Sequence, residues 1–102
     1  TYIGQGVVFG KIKYLSLPKD YKNINNRVIC IERADPGFDF IFSKKILGLI
    51  TCYGGPNSHM SIRCNELNVP AIIGCGRSTF DNIINSKIVK IDLDTKKILK
   101  LS

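Results

Sequence analysis

His59 is the only histidine in the chain, and it closes the run Gly54-Gly55-Pro56-Asn57-Ser58. Ser58 is a residue type that caps helix starts, so the imidazole is expected in the first turn of a helix. That turn leaves backbone N–H donors unpaired and carries partial positive charge, a setting that favours an anion and phosphate above all. Gly54 and Gly55 permit backbone angles and close approach that side chains would block. A cationic ring would meet the positive end of the helix, so the neutral, nucleophilic form is favoured there. A neutral imidazole can attack phosphorus and carry the phosphoryl group covalently. The anion so formed would then be stabilised by the same helix end. Two other readings stay open on the residues alone: a helix-start histidine among ordinary turn residues, or a general base for Cys52 or Cys64 with no evident third orienting group.

The surrounding elements must place these residues. Residues 6–15 have a strand-forming composition that ends in alternation, and read as a strand or bent strand pair. Residues 16–26, with Pro18 and three asparagines, read as a polar surface loop. Residues 28–31 are a short apolar strand. Asp35-Pro36 offers an N-cap followed by proline at the first helical position. Phe38, Ile41 and Phe42 then recur at helical spacing, with Lys44 and Lys45 near the favourable far end. Residues 46–51 are a second buried strand, leading into the glycine pair. From Ser58 a helix runs to about Leu67, with Met60, Cys64 and Leu67 on one face and Ile62 off it. Residues 71–74 are a third buried strand, and Ser78 or Thr79 caps a short helix through Ile84. Residues 88–93 and 97–101 form a hairpin turning at Asp94-Thr95-Lys96. Strands alternating with helices predict an α/β domain.

With 102 residues the chain is expected to be one domain, spanning 1–102. It begins at Thr1, and is read as a fragment of a longer multidomain polypeptide. No apolar run is long enough to cross a bilayer, and no signal-type N-terminus is visible. Fifteen Lys and Arg against eight Asp and Glu leave a formal net charge of +7, a balance compatible with nucleic acid, an anionic membrane or phosphorylated small molecules. The lysines are scattered and not interleaved with aromatics, which favours a Lys-rich surface over a nucleic-acid or membrane partner. Cys30, Cys52, Cys64 and Cys75 form no C-x-x-C pair, and a single imidazole leaves no zinc-site spacing. They read as free thiols, mostly in the core, of a protein in a reducing, cytoplasmic compartment. There is no P-loop Gly-Lys motif and no carboxylate cluster for Mg2+.

The stretch GLITCYGGPNSHMSIRCNELNVPAIIGCG, residues 48–76, resembles the phosphohistidine swivelling domain of the phosphoenolpyruvate-utilising enzymes. Gly54, Gly55, Ser58, His59, Ile62, Glu66, Leu67, Pro70, Ala71 and Gly74 match that family's pattern, and Val69, Ile72 and Ile73 match conservatively. The glycine-rich opening strand and the closing hairpin are similar as well. Asn57 stands where several members have Thr, and Cys52 where many have an acidic residue. Asn65 replaces the usual Arg and Cys64 the usual Ala, while Arg63 supplies a guanidinium two positions earlier.

The resemblance implies a compact β/β/α domain that swings between active sites on neighbouring domains of the same polypeptide. His59 would be the phosphoryl acceptor, with Gly54, Gly55, Asn57, Ser58 and Arg63 shaping or supporting the phosphate site and no metal bound here. Mg2+ and ATP or phosphoenolpyruvate would be held by nucleotide-binding or phosphoenolpyruvate/pyruvate-binding partner domains. The isolated domain would then not turn over substrate. Two alternatives are a degenerate swivelling domain kept for regulation or interaction, and a basic nucleic-acid-binding module.

Overall fold

Several strands of this chain are apolar on both faces, which places them inside a sheet covered on two sides. In the computed structural model, which describes residues 1–17 and 22–102, seven strands form one mixed sheet in the order β1-β5-β4-β3-β2-β6-β7. In chain order they are β1 (Tyr2–Ile3), β2 (Val7–Leu15), β3 (Arg27–Arg33), β4 (Gly48–Tyr53), β5 (Ala71–Ile72), β6 (Ile88–Asp92) and β7 (Lys97–Lys100). A 3₁₀ helix (Pro36–Ser43) joins β3 to β4, α1 (His59–Leu67) joins β4 to β5, and α2 (Arg77–Ile84) joins β5 to β6. The central strands β2, β3, β4 and β5 pair in parallel. The edges are antiparallel, with β1 on β5, β6 on β2 and β7 on β6. This is the expected α/β class.

Alternation along the parallel strands divides the core in two. Ile29, Ile31, Leu49, Ala71 and Ile73 face the 3₁₀ helix and α1, where they meet Phe38, Ile41, Met60 and Cys64. Val28, Cys30, Ile50, Cys52 and Ile72 face the other way, onto Phe80 and Ile83 of α2 and Val89 and Ile91 of β6. Each fully buried side chain of this size contributes about 1.5–3 kcal/mol. Because β3 and β4 are adjacent and parallel, their C-terminal ends lie at the same edge of the sheet. The crossovers leaving them, the 3₁₀ helix and α1, therefore start side by side on one face. Ligand sites in parallel sheets gather at such strand ends.

Most predicted elements are found, with differences that have local causes. The Asp35-Pro36 start is correct: the Asp35 carboxylate accepts from Gly37 N at 2.8 Å. The helix it opens is 3₁₀, and its buried pair, Phe38 and Ile41, has the three-residue spacing of that geometry. Pro18 of the predicted loop lies outside the described residues. Ile24 of the same loop is 2% exposed and belongs to the core, so that segment is not wholly surface. Met60 and Cys64 are buried as expected, but Leu67 is 44% exposed. The buried arc of α1 is Met60, Ser61 and Cys64, and cover ends before the last turn. The cap of α2 is Gly76, with φ +94° and no side-chain hydrogen bond, rather than Ser78 or Thr79; both of these lie inside the helix. The third strand ladder ends at Ile72 because Gly74, at φ +75°, turns the chain away. The hairpin turns where expected, with Asp92 opposite Lys97.

Candidate functional site at the start of α1

Ser58 is the N-cap of α1: its φ and ψ are −69° and 158°, and its hydroxyl accepts from Ser61 N at 3.4 Å. The same hydroxyl donates to the Gly55 carbonyl at 2.8 Å. Ser61 Oγ donates to that carbonyl at 2.7 Å, and Ser58 N does so at 3.1 Å. Three donors on one carbonyl lock the loop to the helix start, so Ser58 and Ser61 act as braces. Ser61 is fully buried, and this bonding satisfies its hydroxyl.

The glycines have separate roles. Gly54 has φ +136°, and a Cβ there would lie 3.0 Å from both Ala34 Cβ and Ile73 Cγ2. Gly74 sits against Gly54 so closely that any side chain would collide with the Gly54 carbonyl oxygen. Among the described residues nothing lies within 4 Å of the position a Cβ of Gly55 would take, which leaves space beside the loop for a ligand. Asn57 is exposed at the tip of this turn.

His59 follows at the first helical position. Its Nε2 lies 2.7 Å from Asp39 Oδ1 and 2.8 Å from Asp39 Oδ2. The two side chains are 37% and 41% exposed, so the pair is reachable from solvent. Asp39 comes from the 3₁₀ helix, held between the buried anchors Phe38 and Ile41. Four residues beyond His59, the Arg63 guanidinium carbon stands 5.4 Å from the centre of the Phe42 ring. Arg63 Nε is buried with no hydrogen-bond partner among the described residues. The 3₁₀ helix thus touches α1 at two successive turns, through Asp39–His59 and Phe42–Arg63.

Two electrostatic influences meet on the ring. The helix start carries partial positive charge, and the Asp39 carboxylate brings a negative charge to the same ring. The expectation drawn from the helix end alone omits this second group. Cys64 and Cys52 are buried, and burial pushes the Cys64 thiol up to about 12. A thiol so reluctant to ionise is a poor nucleophile, and the side chain that the ring contacts through Nε2 is Asp39 rather than either thiol. The geometry therefore does not support a histidine–cysteine pair.

Of the residues singled out from the sequence, Gly54, Gly55, Asn57, Ser58 and His59 form one contiguous surface. Arg63 lies one turn further along the same helix, stacked on Phe42. Asp39 was not anticipated. It is the sole carboxylate between Asp35 and Glu66 and sits inside the apolar run Phe38-Asp39-Phe40-Ile41-Phe42. A lone charge in such a run was the available signal. A cleft lies at the far end of α1, lined by Cys64, Asn65 and Asn68 together with residues 3–5. His59 is on open surface, away from it.

The family described as PEP-utilising enzyme, mobile domain matches residues 24–96. The chain is 39% identical over 82 residues to a phosphoenolpyruvate-protein phosphotransferase of Buchnera aphidicola, a stretch that covers 78% of this chain and 14% of that protein. It is 30% identical over 78 residues to a phosphoenolpyruvate synthase of Neisseria meningitidis, covering 76% of this chain and 10% of the relative. It is 31% identical over 78 residues to the Escherichia coli phosphoenolpyruvate synthase, with 76% and 10% covered. The chain therefore spans between a tenth and a seventh of the length of these relatives. With the family pattern running through β3, β4, α1 and the site they build, the chain belongs to the mobile-domain family of PEP-utilising enzymes.

Proposed function

We propose that this chain is the phosphoryl-carrying part of a larger phosphotransferase, and that His59 is its acceptor. A ring nitrogen lone pair forms the P–N bond while the P–O bond to the donor breaks, and the leaving oxygen of ADP or enolpyruvate keeps that electron pair. Delivery reverses the step onto an acceptor oxygen held elsewhere. One observation carries this reading: the single imidazole is half-exposed on open surface at a helix start, beside a glycine turn with free space at Gly55. A carrier needs such presentation, whereas a self-contained enzyme would enclose its nucleophile in a cleft. The relatives named above are a phosphoenolpyruvate synthase and a phosphotransferase, in keeping with this reading, and their much greater length leaves room for donor and acceptor domains. The helix N–H groups and the Asn57 amide are the local partners for a phosphoryl group. Arg63 can join them once it leaves Phe42. ATP or phosphoenolpyruvate, with Mg2+, would be bound by those other domains.

The test is chemical. The parent chain, treated separately with labelled ATP and with labelled phosphoenolpyruvate, is expected to give an acid-labile, alkali-stable adduct with one of them. Peptide mapping should place the adduct on His59. His59→Ala should reduce both labelling and parent activity to background. Full activity in that variant would overturn the carrier reading and leave a regulatory or interaction role.

A further inference from the structure

We infer that Asp39 is a positioning residue that guards His59: in the resting domain its carboxylate closes the distal ring nitrogen, Nε2, against electrophiles. Both carboxylate oxygens lie within 2.7–2.8 Å of that one nitrogen. An ionised carboxylate only accepts hydrogen bonds, so Nε2 carries the proton in this pair. A nitrogen whose electron pair is in an N–H bond cannot attack phosphorus or carbon. The carboxylate also occupies the side of the ring from which an electrophile would arrive, and its charge repels an approaching phosphate.

The guard is rigidly presented. Asp39 is carried on a turn pinned to the core by Phe38 and Ile41 and capped by Asp35. That turn has a second hold on α1, where Phe42 lies under Arg63. Opening Nε2 means breaking the Asp39 contact, either by rotation of one of the two half-exposed side chains or by withdrawal of the 3₁₀ helix, and the second route would also part Phe42 from Arg63. A phosphoryl group on Nε2 and the Asp39 carboxylate exclude each other, so the Asp39–Nε2 contact cannot persist in a domain loaded at that nitrogen. The purpose assigned to the guard rests on the carrier reading, but the guard itself belongs to the histidine–aspartate pair.

A single histidine makes the test specific. Diethyl pyrocarbonate acylates an imidazole nitrogen: the N–C bond forms, ethyl carbonate leaves with the C–O electron pair and the ring proton, and it decomposes to carbon dioxide and ethanol. The quantity to measure, on the whole chain, is the rate at which the Nε2 adduct forms, resolved by heteronuclear NMR from the Nδ1 adduct. Asp39→Asn keeps the shape and removes the charge, so it should react about threefold to fivefold faster than the unmodified chain, the scale of an exposed ion pair. Asp39→Ala should be faster still, because it removes the residual neutral hydrogen bond. The amide signals of Phe38 and Ile41 report whether the turn stays in place. If Asp39→Asn forms the Nε2 adduct at the unmodified rate, Asp39 only holds the turn and the guard is overturned. The reagent contains no phosphoryl donor. A faster variant in a chain that never forms phosphohistidine would thus refute the carrier reading alone.

Discussion

Ser58 does more for the site than its hydrogen-bond count suggests. As N-cap it satisfies a helix-start donor, and as donor to the Gly55 carbonyl it holds the loop that shapes the open space beside His59. Ser58→Ala should lower stability by about 1 kcal/mol through the cap alone, read from the midpoint of urea unfolding. It should also slow labelling of His59 in the parent chain, because the helix N–H groups lose their fixed aim. Normal labelling in the variant would mean that Ser61 Oγ and the Ser58 N–H hold the loop without the Ser58 hydroxyl. At this scale much was legible. The capping serine, the histidine and the glycines follow one another along the chain, and local rules of turn and helix chemistry connect them. The pairing of Asp39 with His59 was not legible, because twenty residues separate the two and no local rule joins them.

The elements meet at glycines. Gly54 ends β4 and Gly74 leaves β5, and the two chain segments approach backbone to backbone. Gly74 N donates to Thr51 Oγ1 at 2.9 Å, which ties the same corner to β4. Gly74→Ala would place a left-handed φ of +75° on a residue with a Cβ and drive that carbon into the Gly54 carbonyl oxygen. A loss of at least about 2 kcal/mol is expected, measured by urea unfolding. An unchanged midpoint would show that the corner can relax. The reading of helix caps was weaker at this scale. For α1 the side-chain cap was identifiable because a serine stands at the boundary. For α2 a glycine turn set the boundary, and the nearby Ser78 and Thr79 are interior residues. The 3₁₀ geometry of Pro36–Ser43 was hidden for a similar reason, since short apolar spacing fits either helix type.

Two layers on one sheet explain where the thiols lie. Cys64 belongs to the core under α1, and Cys30 and Cys52 to the core under α2. Burial pushes the Cys64 thiol up to about 12 and that of Cys75 to about 11, and it raises Cys30 further still. Near pH 8 these three groups should therefore react with iodoacetamide at least about a hundredfold more slowly than in urea-unfolded chain. Unfolding should release them together. If Cys64 were labelled at the unfolded rate in native conditions, α1 would not be packed as described. Free thiols in the interior were expected from their apolar sequence neighbours. Their division between two faces depends on strand alternation, which the sequence shows only where residues 28–31 and 46–51 are read as strands.

The sequence by itself determined the α/β class, the strand, glycine-turn and helix order, and the histidine at the helix start. Those properties depend on residues a few positions apart, where periodicity, capping and glycine conformation act directly. Only the tertiary structure decided what faces the histidine. Because β3 and β4 run parallel and adjacent, their crossovers start at one end of one face, and this brings Asp39 to 2.7 Å from Nε2. That contact follows from the strand order of the sheet, a long-range property that no local pattern of residue types encodes.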